Sequence, residues 1–263
     1  MKINLNDMSW PEVEEALKKP NAVLIPTGSV EQHGPHLPLS TDSCCATYIA
    51  EQAALKVAAE HQIAVLVAPA LHYTNVVTFK SFPGTIGISI DTETRVIGDI
   101  SRSFIEQGFK NIIFVNGHMG NVVPIQSALR QMSAEYPDAG LYAVNWWDLG
   151  FEVIPKVRKS TICLHADELE TSVSLVIQPE NVQLDKAVKE VPSYSLSEKW
   201  VYPDFYGVKR VFFHSRKKCP KRSTGAGVMG DPTVASRETG EKVIKAVVGD
   251  LAEIIVEVVR SGS

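Results

Sequence analysis

The stretch Ala22-Val23-Leu24-Ile25-Pro26-Thr27-Gly28-Ser29-Val30-Glu31-Gln32-His33-Gly34-Pro35-His36 decides the fold. Residues 22–26 form a short apolar run, the pattern of a strand buried on both faces, and Thr27-Gly28 closes it. A polar loop runs on to Asp42, and the Ala-rich segment 43–60 then carries apolar positions at helical spacing. The same succession recurs downstream. Strands are predicted at 63–68, 111–115 and 141–145, and helices at 91–107 and 122–136, with a long loop through Phe82-Pro83-Gly84. Such alternation predicts an α/β fold, a layered sandwich whose mainly parallel central sheet is flanked by helices on both faces. Residues 236–260 read as a long amphipathic helix with Val243, Val247, Leu251, Ile254 and Val258 on its inner stripe. Residues 179–231 lack a firm period and are rich in aromatic and basic side chains. They are expected as loops and short strands near an active site or a subunit interface.

The 263 residues, 44% hydrophobic and 21% charged, suffice for a sizeable core and exclude a disordered, collagen-like or disulfide-stapled chain. No repeat or linker divides them, so 1–263 is read as one domain. A formal charge of -4, with no basic stripe beyond residues 216–222, speaks against a nucleic-acid partner and for a small polar substrate. No apolar window approaches the roughly 20 residues that cross a bilayer, and the first residues lack a signal-type apolar core. The expected location is the cytoplasm, with no membrane partner. Cys44, Cys45, Cys163 and Cys219 show no Cys-x-x-Cys spacing and are expected as reduced thiols.

Three polar segments carry the chemistry. Just after the first strand, Glu31 and His33 are separated by two, so an extended chain points both side chains the same way. Asp42 stands where the next helix begins, a place that favours an anion. Loops after parallel strands gather at the carboxyl edge of the sheet, where such folds place ligands. His118, in Asn116-Gly117-His118-Met119-Gly120-Asn121 after the strand at 111–115, is expected to face the same crevice. There the two glycines allow a sharp turn and Asn121 can cap the following helix. The third segment is His165-Ala166-Asp167-Glu168-Leu169-Glu170-Thr171-Ser172. Helix capping explains one or two of its acids but not the histidine beside them. Glu31, His33, Asp42, His118 and Glu168 together offer the imidazole and carboxylate mix of hydrolytic Zn²⁺ or Mn²⁺ sites. One carboxylate can bridge two such ions. Two divalent cations fit this inventory better than one. His61, His72 and His214 are weaker choices as ligands.

The order of Gly28-Ser29-Val30-Glu31-Gln32-His33-Gly34-Pro35-His36, Thr41-Asp42, Phe82-Pro83-Gly84-Thr85, Asn116-Gly117-His118, Glu170-Thr171-Ser172 and Gly230-Asp231-Pro232 resembles the motifs of the creatininase (creatinine amidohydrolase) family. The resemblance implies a metal-dependent amidohydrolase with a two-metal centre, Zn²⁺ or Mn²⁺ with Fe²⁺ as a further metal, in a homo-hexamer built as a trimer of dimers. Carried onto this chain, Glu31 and His118 hold one metal, His33 the other, and Asp42 bridges them. His165 matches the family's catalytic histidine. Trp147 matches a tryptophan that lies over creatinine, with a place in the core or at an interface as its other reading. Apart from the resemblance, backbone N–H groups of Gly117 and Gly120 are expected to help hold a developing oxyanion, and His36 is expected on the substrate side. Gly120 stands where the creatinine enzyme has a glutamate ligand, and Glu168 is expected to replace it. Leu164 and Thr161 also depart from that enzyme, which has an acid and a tryptophan there. The activities implied are attack of metal-activated water on an amide or ring carbonyl, with creatinine ring-opening, removal of a formyl group from a ribosylaminopyrimidine, or carbon-carbon cleavage in a cyclic keto-polyol as variants. A metal-binding protein without turnover is the non-enzymatic alternative.

Overall fold

A computed structural model describes residues 2–191, 204–206 and 225–261. The predicted basic cluster at 216–222, His214 and Cys219 lie outside them. After a short helix α1 (Trp10–Leu17) come β1 (Asn21–Thr27), α2 (Thr41–Glu60), β2 (Ala64–Val67), α3 (Ile90–Glu106), β3 (Asn111–Asn116), α4 (Val122–Glu135) and β4 (Gly140–Asn145). Apart from α1, which the sequence reading does not include, these match the sequence expectation to within two residues at each end.

The four strands are parallel and ordered β2-β1-β3-β4. Every residue of β1 and β3 is buried, which is why both read as continuous apolar runs. Their side chains nevertheless alternate between two cores. Leu24, Val65, Ile113 and Val115 face the layer that holds α2 and the C-terminal helix. Val23, Ile25, Leu66, Ile112 and Phe114 face the layer of α3 and α4. The period of two along each strand therefore divides one apolar run between the two faces.

Beyond β4 lie a single helical turn α5 (Ile154–Val157), β5 (Cys163–His165), α6 (Glu168–Ile177), β6 (Met229–Gly230) and α7 (Arg237–Ser261). β5 and β6 pair antiparallel, separate from the main sheet. The described part of 179–231 is short turns and the β6 strand, as expected of an aperiodic stretch. α7 packs on both α2 and α6, burying Val243, Val247, Leu251, Ile255 and Val258. Among the described residues no helix is long and apolar enough to cross a membrane.

The order 2-1-3-4 means that the chain leaves β1 in one direction along the sheet and passes β1 again to reach β3. The carboxyl ends of β1 and β3 thus flank the switch point of the sheet, where the loops diverge and leave a crevice.

Candidate metal centre

The loop after β1 delivers Glu31 and His33 to this crevice, the first turn of α2 delivers Asp42, and the loop after β3 delivers His118. Behind them, β5 ends on His165. Ala166, at φ 49°, turns the chain sharply into α6, which Asp167 caps through Leu169 and Glu170 N–H. Six side chains come together in three groups of ligand atoms within 4.8 Å: Glu31, Asp42 and His118; His33, Asp42 and Glu170; Glu31, His33 and His165. All six are buried.

Asp42 is the hub. Its Oδ1 lies 2.9 Å from His33 Nε2 and its Oδ2 lies 3.0 Å from His118 Nδ1, while the Ser29 hydroxyl donates to Oδ2 at 2.7 Å. Glu31 Oε2 is 3.2 Å from His118 Nδ1, yet is buried without a hydrogen bond. Glu170 Oε2 is 3.8 Å from His33 Nε2 and accepts from Ala166 N–H. The other nitrogen of each imidazole is held by backbone: His33 Nδ1 by Glu31 O at 3.0 Å and His118 Nε2 by Asn75 O at 3.0 Å. Fixing one ring nitrogen in this way aims the other at the carboxylates.

Electrostatics follow from this crowding. Burial pushes Glu31 up to about 7, and it also pushes Glu170 well above the usual carboxylate range. For His33 burial opposes charge, but Asp42 and the two glutamates outweigh it and raise the imidazole to about 10. His118 behaves alike, raised to about 9 against burial by Glu31 and Asp42. Asp42, despite burial, is held far below its ordinary value by the two imidazoles. His165 is the exception, since burial and the neighbouring His33 charge both drive it well below the ordinary imidazole value. The cluster thus holds protons on its crowded carboxyls and imidazoles, and a divalent cation bound there would take their place. The Glu31 oxygen left without a hydrogen bond and the imidazole-carboxylate set fit such an ion.

His165 lies beneath this cluster. Its ring is stacked on Phe79 with centroids 4.3 Å apart, and His33 covers it at the same distance. Its Nε2 is engaged by Gln32, 2.8 Å from the backbone oxygen and 2.9 Å from the side-chain nitrogen. Its Nδ1 is left toward Glu31, 3.9 Å from Oε2.

Several expected positions differ. Glu168 is not among the clustered donors: both its oxygens accept from Lys159 N–H, and one also from Ser160 N–H, so it braces the 159–160 loop. The acid turned to the cluster is Glu170, whose Glu170-Thr171-Ser172 motif was the available signal. Trp147 is packed in the core, stacked on Phe205 and edge-on to Trp146, rather than lying among the ligands. His36 is fully buried with Nε2 on the Thr171 hydroxyl, and burial lowers it to about 4. Gly117 N–H is already given to Thr27 O, and Gly120 packs against Asn75 O and His118. Asn121 does not cap α4; it ties the Gly28 carbonyl to Asn116. Phe79, which flanks His165 together with Gln32, carries no signal of its own in the sequence.

Fold and site together define an α/β protein with a buried imidazole-carboxylate cluster, able to hold a metal ion, at the switch point of its sheet. The sequence model of the creatininase family, described as creatinine amidohydrolase, matches residues 6–255, and the chain belongs to this family of hydrolases. It is 33% identical to the mycofactocin precursor peptide peptidase of Mycobacterium ulcerans (strain Agy99) over 87% of this chain and 82% of that protein. It is 28% identical to the creatinine amidohydrolase of Pseudomonas putida, covering 96% of each. Among solved structures, a glutamate-to-glutamine creatininase mutant of Zn-Zn type superposes with a TM-score of 0.78 at 25% identity, covering 98% of both chains.

Proposed function

We propose that this chain is a metal-dependent amidohydrolase with a two-metal centre, taking Zn²⁺ or Mn²⁺, that hydrolyses an amide bond of a small polar substrate. The observation that carries the reading is the position of Asp42, whose two oxygens each meet a different imidazole, His33 at 2.9 Å and His118 at 3.0 Å. A carboxylate shared between two donor groups is the arrangement a bridging ligand requires. Glu31 and His118 would hold one cation, His33 and Glu170 the other, with Asp42 common to both. Bound there, the cations would polarise the scissile carbonyl and acidify a water.

The chain's own part is to position and to move a proton. Gln32 and the flanking rings of Phe79 and His33 fix the His165 imidazole. Its Nδ1, on the side of Glu31, takes the proton of the attacking water and returns it to the leaving nitrogen. The ring is neutral in this buried place, and with Nε2 on the Gln32 carbonyl its Nδ1 is the nitrogen open to a proton. The buried walls exclude bulk water from these groups.

The names of the two curated relatives, a precursor-peptide peptidase and a creatinine amidohydrolase, both support a carbon-nitrogen bond as the target. The resemblance further supports a homo-hexamer, and exposed Trp10 and Phe151 suit subunit contacts. Two measurements test the reading. Metal analysis of protein reconstituted with Zn²⁺ or Mn²⁺ is expected to find close to two ions per chain, lost to a chelator. Metal-replete protein is then incubated with cyclic amides, formamides, short peptides and cyclic ketones, and products are read by mass spectrometry. Failure to bind metal overturns the centre. Full metal loading without turnover on any of them supports the non-enzymatic alternative instead.

A further inference from the structure

Outside the ligand set, Glu93 is a buried acid with no role in the chemistry above. Glu93, in the first turn of α3, is 1% exposed. An acid at that place ordinarily serves its own helix, but here Ser89 supplies the cap, accepting from Thr92 N–H. The Glu93 carboxylate turns away from α3 and accepts Asn75 N–H through Oε2 at 2.6 Å, while Oε1 is buried without a hydrogen bond. Burying a carboxylate with an oxygen unmatched opposes folding, so its retention calls for something that it holds in place.

What it holds is Asn75. This residue is pinned at three points: its N–H by Glu93, its side-chain amide by Ile88 O at 3.1 Å, and its own carbonyl by His118 Nε2 at 3.0 Å. That last contact leaves His118 Nδ1 for Asp42 and Glu31. Gly120 makes the approach possible, since a Cβ there would collide with both Asn75 O and the His118 ring.

We infer that Glu93, through the Asn75 backbone, is a positioning residue for His118. It sets the affinity of the metal site formed by Glu31, Asp42 and His118. The inference rests on the metal-centre reading above. Groups that orient a ligating histidine typically change metal affinity by about 10- to 100-fold when removed.

The test is a Zn²⁺ titration of metal-free protein against a chromophoric chelator, with folding followed by circular dichroism. It is run in a Glu170→Gln background, which leaves the His118 site to be read by itself. Glu93→Ala is expected to weaken that site about 10- to 100-fold. Glu93→Gln, whose amide oxygen can still accept Asn75 N–H, is expected to restore most of the loss. Glu93→Asp keeps the charge but draws the acceptor back from Asn75 N–H, and is expected to weaken the same site. It also keeps the test decisive if Glu93→Ala does not fold. Unchanged affinity in folded Glu93→Ala, or in folded Glu93→Asp, overturns the inference while leaving the metal centre standing. Absence of Zn²⁺ binding by the unaltered protein overturns the metal-centre reading, and the inference with it.

Discussion

The backbone of Gly117 lies directly against the carbonyl of Asp42, with no space for a side chain between them. This contact joins the end of β3 to the first turn of α2, and so sets the distance between the loop that carries His118 and the helix that carries Asp42. Gly117→Ala is expected to force the two apart. Overpacking of this kind destabilises by about 1–3 kcal/mol. Thermal melting with parallel metal analysis checks this: the variant should melt lower and bind less metal, and wild-type occupancy would show that the contact does not govern the site.

Glu168 and Glu170 separate a structural acid from a ligand. Glu170→Gln removes an anionic donor facing His33, and should cost one metal ion per chain with a modest change in stability. Glu168→Gln weakens the hydrogen bonds to Lys159 and Ser160 N–H, and should lower stability by about 1–3 kcal/mol while both ions stay bound. Metal content and denaturant midpoints, measured on both variants, should move in opposite order. Loss of metal in Glu168→Gln alone would reverse the assignment.

Creatinine is expected to be a poor substrate or none. Gly120, Leu164 and Thr161 differ from the creatinine enzyme around the site, where the resemblance has a glutamate ligand, an acid and a tryptophan, and Trp147 is engaged with Phe205 in the core. A site that lacks groups matched to a substrate can lose several orders of magnitude in specificity. Creatine release, followed chromatographically, should stay near background. Steady turnover at an ordinary enzyme rate would contradict the expectation.

What the sequence could and could not reveal follows from range. β1 and β3 were legible because burial on both faces makes each a continuous apolar run, and the loops at their ends then carry His33, Asp42 and His118 to one edge. The choice between Glu168 and Glu170 was not legible from pattern. Both sit in the first turn of α6, where two residues differ by about 200° around the axis. Which of them faces the cluster depends on the sharp turn at Ala166. Asn75 and Glu93 were missed because no motif marks them, and they act through a backbone carbonyl that only the tertiary fold brings to His118. Asn121 reads locally as a helix cap, but the fold turns its amide to the Gly28 carbonyl and Asn116 instead.

His165 offers the sharpest division between binding and catalysis. Its Nδ1 is near enough to Glu31 and His33 to form a third donor group with them, whereas its Nε2 contact with the Gln32 carbonyl leaves Nδ1 as the acceptor nitrogen of a neutral ring. If it moves the proton, His165→Ala should keep both metal ions and slow turnover by about 10²- to 10⁴-fold, the usual range for a positioned acid-base group. His118→Ala should instead lose metal and activity together, because Asp42 and Glu31 are then left facing no imidazole on that side. A His165 that only packs between Phe79 and His33 would, when removed, leave a cavity and lower stability, with nearly normal activity per folded molecule. Kinetics and metal analysis on the two variants, with a substrate found by the screen, decide between these outcomes. Full activity in metal-replete His165→Ala would remove the proposed acid-base, and metal loss in that variant would move His165 into the ligand set.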